Sequence, residues 1–327
     1  MKVRLNKALE FLLARGNLPI LYWLKKDILE VPVDRECKNL CKFAARIRIL
    51  ESQRSDGSWA RKKLPRHPRW EKTYHLIETL KSVSRLYDYG CSLKDEGIQK
   101  AVQFLYSTQT REGDFRGFYF NEYAPTYHAL TLEILCRYGL DKDKRVQKGF
   151  RWILANRQDD GGWAIPYQTI DQEKLKSRIN LTGRLKADPF KPDKSQPSSH
   201  LVTGMVLRAL AESPSWRKSK EAWKVGLMII DHFFQADNYA NRQHPSFWEE
   251  ITYPFWSTDI LSSLDSLSKI GFGLDNEKIQ QAIDWLLKEQ NSQGIWESKD
   301  EKASLEDHLW MTIAVLRVLK RFQLFKI

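Results

Sequence analysis

The stretch Asn156–Pro166, NRQDDGGWAIP, decides how the chain is read. Its paired acids Asp159 and Asp160, two glycines and a tryptophan have the look of a catalytic loop. The same spacing, however, recurs. Gln53 precedes Gly57 and Trp59 in QRSDGSW, Gln109 precedes Gly113 and Phe115 in QTREGDF, and Gln290 precedes Gly294 and Trp296 in QNSQGIW. Arg157, Gly161 and Trp163 keep those offsets. QTREGDF has only Glu112 before its glycine and QNSQGIW has no acid there. A catalytic pair need not recur, whereas a joint must. Gly161 therefore reads as a tight turn that glycine permits and Trp163 as a ring buried between helices. Asp159 and Asp160 read as exposed turn residues.

Working outward, amphipathic segments precede the joints. IQKAVQFLYSTQ and IQQAIDWLLKEQ place apolar residues at i, i+3, i+4 and i+7, as a one-sided helix requires. A second helix follows each joint, and three open alike: TYHLIETL from Thr73, TYHALTLEIL from Thr126 and SHLVTGMVLRAL from Ser199. Ser or Thr before an apolar-periodic run marks an N-cap. The unit is thus a helical hairpin of about 50 residues. One set of helices is expected near 3–14, 36–53, 94–108, 143–157, 216–235 and 276–290, the other near 18–30, 73–88, 126–138, 199–212, 256–270 and 307–321. Six hairpins can close into a ring, which leaves no repeat end to protect. The expectation is all-α, a single (α/α)6 toroid domain over 1–327. One joint is eroded: FFQADNYANRQHPSFW keeps Gln235 but not the glycine spacing.

The 327 residues carry 53 basic and 41 acidic side chains, a formal charge of +12 that favours anionic partners. Two long connections hold much of it: a basic loop at about 60–72, ARKKLPRHPRWEK, and a polar insert at about 166–198. Both follow a joint, so both belong on one rim, and loops of this length often act as lids or binding loops. A basic rim over a helix-lined cavity suits a phosphate or diphosphate head with an apolar body below. The aromatic-basic interleaving of single-strand binders is missing, so nucleic acid is not the expected partner. Apolar runs such as Val225–Ile230 are too short for a transmembrane segment. The opening MKVRLNKALEFLLARG, interrupted by Glu10, reads as a helix and not as a signal peptide. Cys37, Cys41, Cys91 and Cys136 fit reduced thiols, hence a cytoplasmic protein. Cys37 and Cys41 lack further ligands nearby for a metal.

The helices of the second set also share a position. His75, His128 and His200 fall in equivalent first turns, His308 opens the last such helix in EDHLW, and Asp259 opens the fifth in FWSTDIL. If these helices line the ring, the groups converge at one mouth with Tyr74, Tyr127, Trp256 and Trp310 beside them. Asp259 and His308 are then the candidate acid/base pair, and the remaining histidines and aromatics candidate ligand contacts. The competing reading makes each histidine a repeat-structural residue bonded to the neighbouring turn, because a repeat copies structural parts. Asp259 sits in an apolar stretch, where an unpaired carboxylate is costly.

The Gln-x3-Gly-x-Trp turns and their helices resemble the QW repeats of the squalene-hopene cyclases and protein prenyltransferases. YWLKKDILEVP near the start and YPFWSTDILSSLDSL with LRVLKRF near the end are most similar to bacterial terpene-cyclase-like repeat proteins. The resemblance implies the toroid and a cavity for an isoprenoid-like or other amphiphilic anion. It brings none of the usual chemical signatures. The nearest string to Asp-x-Asp-Asp is Arg157–Asp160, which lacks the first Asp; Asp-Asp-x-x-Asp fails at Trp163; and Asp-x-Cys is absent, so His308 alone matches a prenyltransferase zinc position. No metal or cofactor is assigned. Two alternatives stand beside an enzyme or carrier of amphiphilic anions. One is a non-catalytic binding or scaffold protein. The other is a carbohydrate-active ring using Glu249–Glu250, or Asp114 with Glu122, as paired carboxylates. A deep apolar cavity ending at Asp259 and His308 favours the first reading, a plugged or polar centre the second, and an open groove with two carboxylates the third.

Overall fold

The computed structural model describes residues 4–61, 71–171, 173, 188–239, 244–298, 300 and 302–326. Most of the basic loop, including Lys62, Lys63, Arg66 and Arg69, and the middle of the 166–198 insert lie outside the described residues. The described helices alternate between two layers. The outer layer holds α1 (Leu5–Arg15), α3 and α4 (Asp34–Leu40 and Ala44–Glu51), α6 (Glu96–Ser107), α8 (Lys144–Ala155), α10 (Lys220–Asp231) and α12 (Glu277–Lys288). The inner layer holds α2 (Leu18–Trp23, continued by a π turn at Leu24–Ile28), α5 (Glu71–Asp88), α7 (Pro125–Arg137), α9 (His200–Glu212), α11 (Ile260–Ile270) and α13 (Leu305–Arg321).

Burial explains the layering. α9 is buried almost all round, from His200 to Ala211. α8 buries only the stripe Val146, Gly149, Phe150, Trp152 and Ile153. A helix apolar on all faces belongs inside, and one with a single stripe outside. The inner helices pack in chain order, α5 on α7, α7 on α9, α9 on α11 and α11 on α13. α13 then returns to α2, with Arg317 paired to Asp27 at 2.7 Å. α2 reaches α5 through the Trp23 indole N–H, which donates to the Asp88 carbonyl at 2.7 Å. The layer is a closed ring, the α/α toroid.

The joints show why. Each tryptophan indole donates to a carbonyl ten residues back, closing the preceding outer helix: Trp59 to Ile49 at 2.7 Å, Trp163 to Ile153 at 2.7 Å and Trp296 to Leu286 at 2.6 Å. The aromatic residue's backbone N–H donates to the next inner helix. It finds Thr79, Thr203 or Thr312 Oγ1 at 3.0–3.1 Å, and for Phe115 the acceptor is His128 Nδ1 at 3.0 Å. The glutamine clamps the next outer helix. Gln53 donates to the Gly97 carbonyl at 2.7 Å and Gln109 to the Arg145 carbonyl at 2.8 Å. Gln290 Oε1 accepts the Arg4 backbone N–H at 2.9 Å, which seats the last joint on α1. Gly294 takes φ +88°, and a Cβ there would lie 2.7 Å from the Ala8 nitrogen, so only glycine lets α1 approach.

Three details correct the sequence reading. Thr73 and Thr126 lie inside α5 and α7 and do not cap them, whereas Ser199 does cap α9. The second outer helix is broken between Leu40 and Ala44. The eroded joint after α10 is rebuilt by Trp248, which is buried and donates its indole N–H to the Gln235 carbonyl at 2.9 Å.

Candidate functional site

Each outer helix runs through a joint into the N-terminus of an inner helix. The joints and inner N-termini therefore share one rim, and the inner C-termini share the other.

At the joint rim, each expected histidine sits beneath its own joint. His128 is enclosed, its Nδ1 accepting from Phe115 N–H while Nε2 lies 3.0 Å from the Gly149 carbonyl. Burial drives its pKa down to about 4, so the ring is neutral and serves the backbone. His308 Nδ1 accepts the Ser298 N–H at 3.1 Å. His200 stacks on Trp248, ring centroids 4.8 Å apart, with Nε2 3.6 Å from Asp237. His75 lies 3.7 Å from Glu71 of its own helix. Asp259 is the N-cap of α11 in a capping box: Oδ1 accepts the Ser262 N–H at 2.7 Å, and Oδ2 the Thr252 N–H at 3.2 Å. Burial pushes Asp259 up to about 6 against those bonds. Tyr74 receives Arg61 over its ring, 4.8 Å from the centroid, and Tyr127 stacks on Phe118 at 4.7 Å. These groups are spread around the rim by the repeat, and Asp259 and His308 each bond to the backbone of their own joint or strap.

A feature without a sequence signature, the strap Thr252–Ser257 that leads into α11, carries Trp256 and packs against Trp310. In ring order α11 stands opposite α5, and the strap crosses to it. Tyr253 O–H donates to Asp88 on α5 at 2.8 Å. Its ring stacks on Trp310 of α13, centroids 6.0 Å apart. Arg208 of α9 donates to the Ser257 carbonyl at 2.6 Å. The strap divides the interior in two.

On one side, Pro254 and Trp256 line a pocket of about 430 Å³ with Ile49, Lys81, Ser82, Ser84 and Arg85. Lys81 Nζ lies over the Trp256 ring, 5.6 Å from its centroid. Arg85 pairs with Asp307 at 3.3 Å, and its buried Nη1 has no hydrogen-bond partner among the described residues.

On the other side, Tyr253 and Phe255 line a chamber of about 200 Å³ among the C-terminal turns of the inner helices. Its acids are Asp27, Glu133, Glu212 and Asp265, and its bases Arg137, Lys269, Arg317 and Arg321. Lys269 bridges Glu212 and, at 2.7 Å, Asp265, which Arg321 also holds. Glu133 is held by Arg208 at 3.0 Å. Burial opposes the charge of Asp265, but Lys269 and Arg321 outweigh it and hold the carboxyl well below the usual range. The centre of the ring is ionic and crossed by a strap, not a deep apolar cavity ending at Asp259 and His308.

Of the other candidate acids, Asp114 and Glu122 are engaged. Asp114 pairs with Arg116 at 2.9 Å, and Glu122 accepts the Phe190 N–H at 2.8 Å. Among the described residues no group of three or more His, Cys, Asp or Glu is placed to hold a metal ion, and His308 has no thiolate partner for zinc. Asp160 accepts the N–H groups of Gly162 at 3.0 Å and Ser198 at 2.7 Å, so it ties the end of the insert to the joint. No described helix is long and apolar enough to cross a membrane.

Fold and joints define an α/α toroid of the terpene-cyclase and prenyltransferase type. The chain belongs to the squalene-hopene cyclase family: residues 140–315 match the squalene-hopene cyclase C-terminal domain, and residues 51–175 the prenyltransferase alpha-alpha toroid domain. A squalene–hopene cyclase of Bradyrhizobium diazoefficiens is 26% identical over 160 residues, which are 47% of this chain and 21% of that enzyme. The match thus spans about a fifth of that relative's length. Similar solved structures include a type II terpene cyclase from Scytonema, 13% identical over 88% of this chain and 99% of that one, TM-score 0.38. A polysaccharide lyase is 10% identical over 97% and 95% of the two chains, TM-score 0.48.

Proposed function

We infer that the protein binds an amphiphilic anion, isoprenoid-like in having an apolar body and an anionic head, in the pocket between the strap and α5. The carrying observation is the juxtaposition of Lys81 and Arg85 with Ile49, Pro254 and Trp256 around one cavity. Its volume of about 430 Å³ falls in the range of roughly 300–1,000 Å³ usual for small-molecule sites. Two cations and two serine hydroxyls at one side suit phosphate oxygens, and the tryptophan, proline and isoleucine suit a hydrocarbon. Hydrocarbon cyclisation in the ionic centre is disfavoured, because an apolar chain there would strip water from ion pairs without replacing it. The protein is therefore read as a binder or carrier on a cyclase-type ring.

Calorimetric titration with farnesyl diphosphate tests this. Binding is expected, and Lys81→Ala should weaken it about tenfold, the worth of one charge-assisted hydrogen bond. Trp256→Ala should weaken farnesyl diphosphate and farnesyl monophosphate alike. Absence of binding, or equal affinity of the Lys81 variant, rejects the pocket. The acid/base proposal for Asp259 and His308 has its own control: Asp259→Ala and His308→Ala should leave affinity unchanged if both residues serve the joints.

A further inference from the structure

The chamber beneath the strap is a different cavity, and its chemistry points to a different ligand. We propose that it is a second binding site, for a small zwitterion that carries a carboxylate and an ammonium group, as a free amino acid does. Its four acids and four bases balance. A ligand of net charge would leave an uncompensated charge among these part-buried ion pairs, which is costly. A zwitterion adds none and can set each pole against the opposite sign.

Arg137 is the carboxylate anchor. It is the last residue of α7 and lines the chamber, and its side chain keeps 15% of its surface accessible there. Its hydrogen bonds are long, 3.4 Å to Asp88 and 3.4 Å to Ser84 Oγ. Charge-assisted bonds run nearer about 2.7–2.9 Å. Its neighbours in the network are more tightly held: Arg317 has Asp27 at 2.7 Å and Lys269 has Asp265 at 2.7 Å. A planar guanidinium with loosely held donors is the group best suited to a two-pronged carboxylate. Beside it Asp88 Oδ2 is buried without a hydrogen-bond partner among the described residues, an acceptor that calls for a donor such as an ammonium and not for a second carboxylate. The ammonium is met by Glu133 and Glu212, and by the partial negative charge of the inner helix C-termini that converge on the chamber. A volume of about 200 Å³ with charged walls suits a small polar molecule better than a long prenyl chain.

The test uses the full chain and the free proteinogenic L-amino acids as probes, read by thermal shift and then calorimetry. At least one should bind at sub-millimolar concentration. Its deaminated acid and its decarboxylated amine should each bind more than tenfold more weakly. Arg137→Gln should lose more than tenfold. Ala314→Met, which fills the chamber from α13 and removes no charge, should abolish binding even if the arginine variant folds poorly. Lys81→Ala should leave it intact, which separates this site from the amphiphile pocket. The proposal is overturned if no amino acid binds, if the deaminated acid binds equally well, or if Ala314→Met binds as the unaltered chain does.

Discussion

Asp259 and His128 both serve the backbone from buried positions, yet burial moves them in opposite directions. Asp259 is raised from its ordinary 3.8 to about 6, mainly by burial. Between those values the folded chain holds a proton that the unfolded chain has released, so stability falls as pH rises through the window. His128 is lowered from 6.5 to about 4, again by burial. There the unfolded chain takes up the proton first, so stability is lost as pH falls from 6.5 towards 4. Each is worth about 3 kcal/mol, and the two slopes offset one another over nearly the same range. Asparagine is also a good N-cap, so Asp259→Asn removes one slope and keeps the cap. In urea unfolding, the stability of this variant relative to the unaltered chain should improve by about 3 kcal/mol between pH 4 and pH 7. A difference that does not change with pH would show that Asp259 ionises as an exposed acid does. Asp259→Ala should cost about 1 kcal/mol even at pH 4, from the lost cap.

At the scale of the element, the joint is both the most legible and the least tolerant part of the chain. Its glycine and tryptophan stand at fixed offsets from the glutamine, because three hydrogen bonds must fall on three different helices at once. That is why the repeat could be read from residues such as Gln53, Gly57 and Trp59 alone. Trp248 is hidden from the same reading, since thirteen positions separate it from its acceptor Gln235 and no glycine marks the turn. The strap is hidden for another reason. Its partners Asp88, Arg208 and Trp310 lie on three inner helices far away in sequence, and six irregular residues have no period. The histidines are visible as a repeat, but only their bonds tell a structural part from a converging site. The joints also make a sharp comparison of two glycines. Both Gly161 and Gly294 have positive φ, but an added Cβ meets nothing at Gly161 and the backbone of α1 at Gly294. Gly161→Ala should cost about 1–2 kcal/mol, the strain of the left-handed conformation. Gly294→Ala should cost at least twice that in the same denaturation experiment. Equal losses would mean that α1 can move away without penalty.

Across the whole molecule, stability and the ionic chamber are linked. Lys269 is the shared cation of Glu212 and Asp265. Lys269→Met should destabilise by about 2 kcal/mol, less than removal of one partner from a fully buried ion pair, because both side chains keep some access to water. Adding Glu212→Gln should recover much of that loss in thermal unfolding, since Arg321 still serves Asp265. A neutral Lys269→Met would show these charges to be fully hydrated. The contact that completes the ring has a consequence in time. The Arg4 N–H and the Gln290 side chain that receives it are 286 positions apart. Loop-closure entropy grows only slowly with such a span, so the bond is not thermodynamically extravagant, but it is late. Synthesis proceeds from the N-terminus, so the first helix leaves the ribosome long before the joint that covers its flank. Until Gly294 and Trp296 have been made, that flank is open to a chaperone or to a wrong neighbour, and the hairpin that carries them is the one that shuts it.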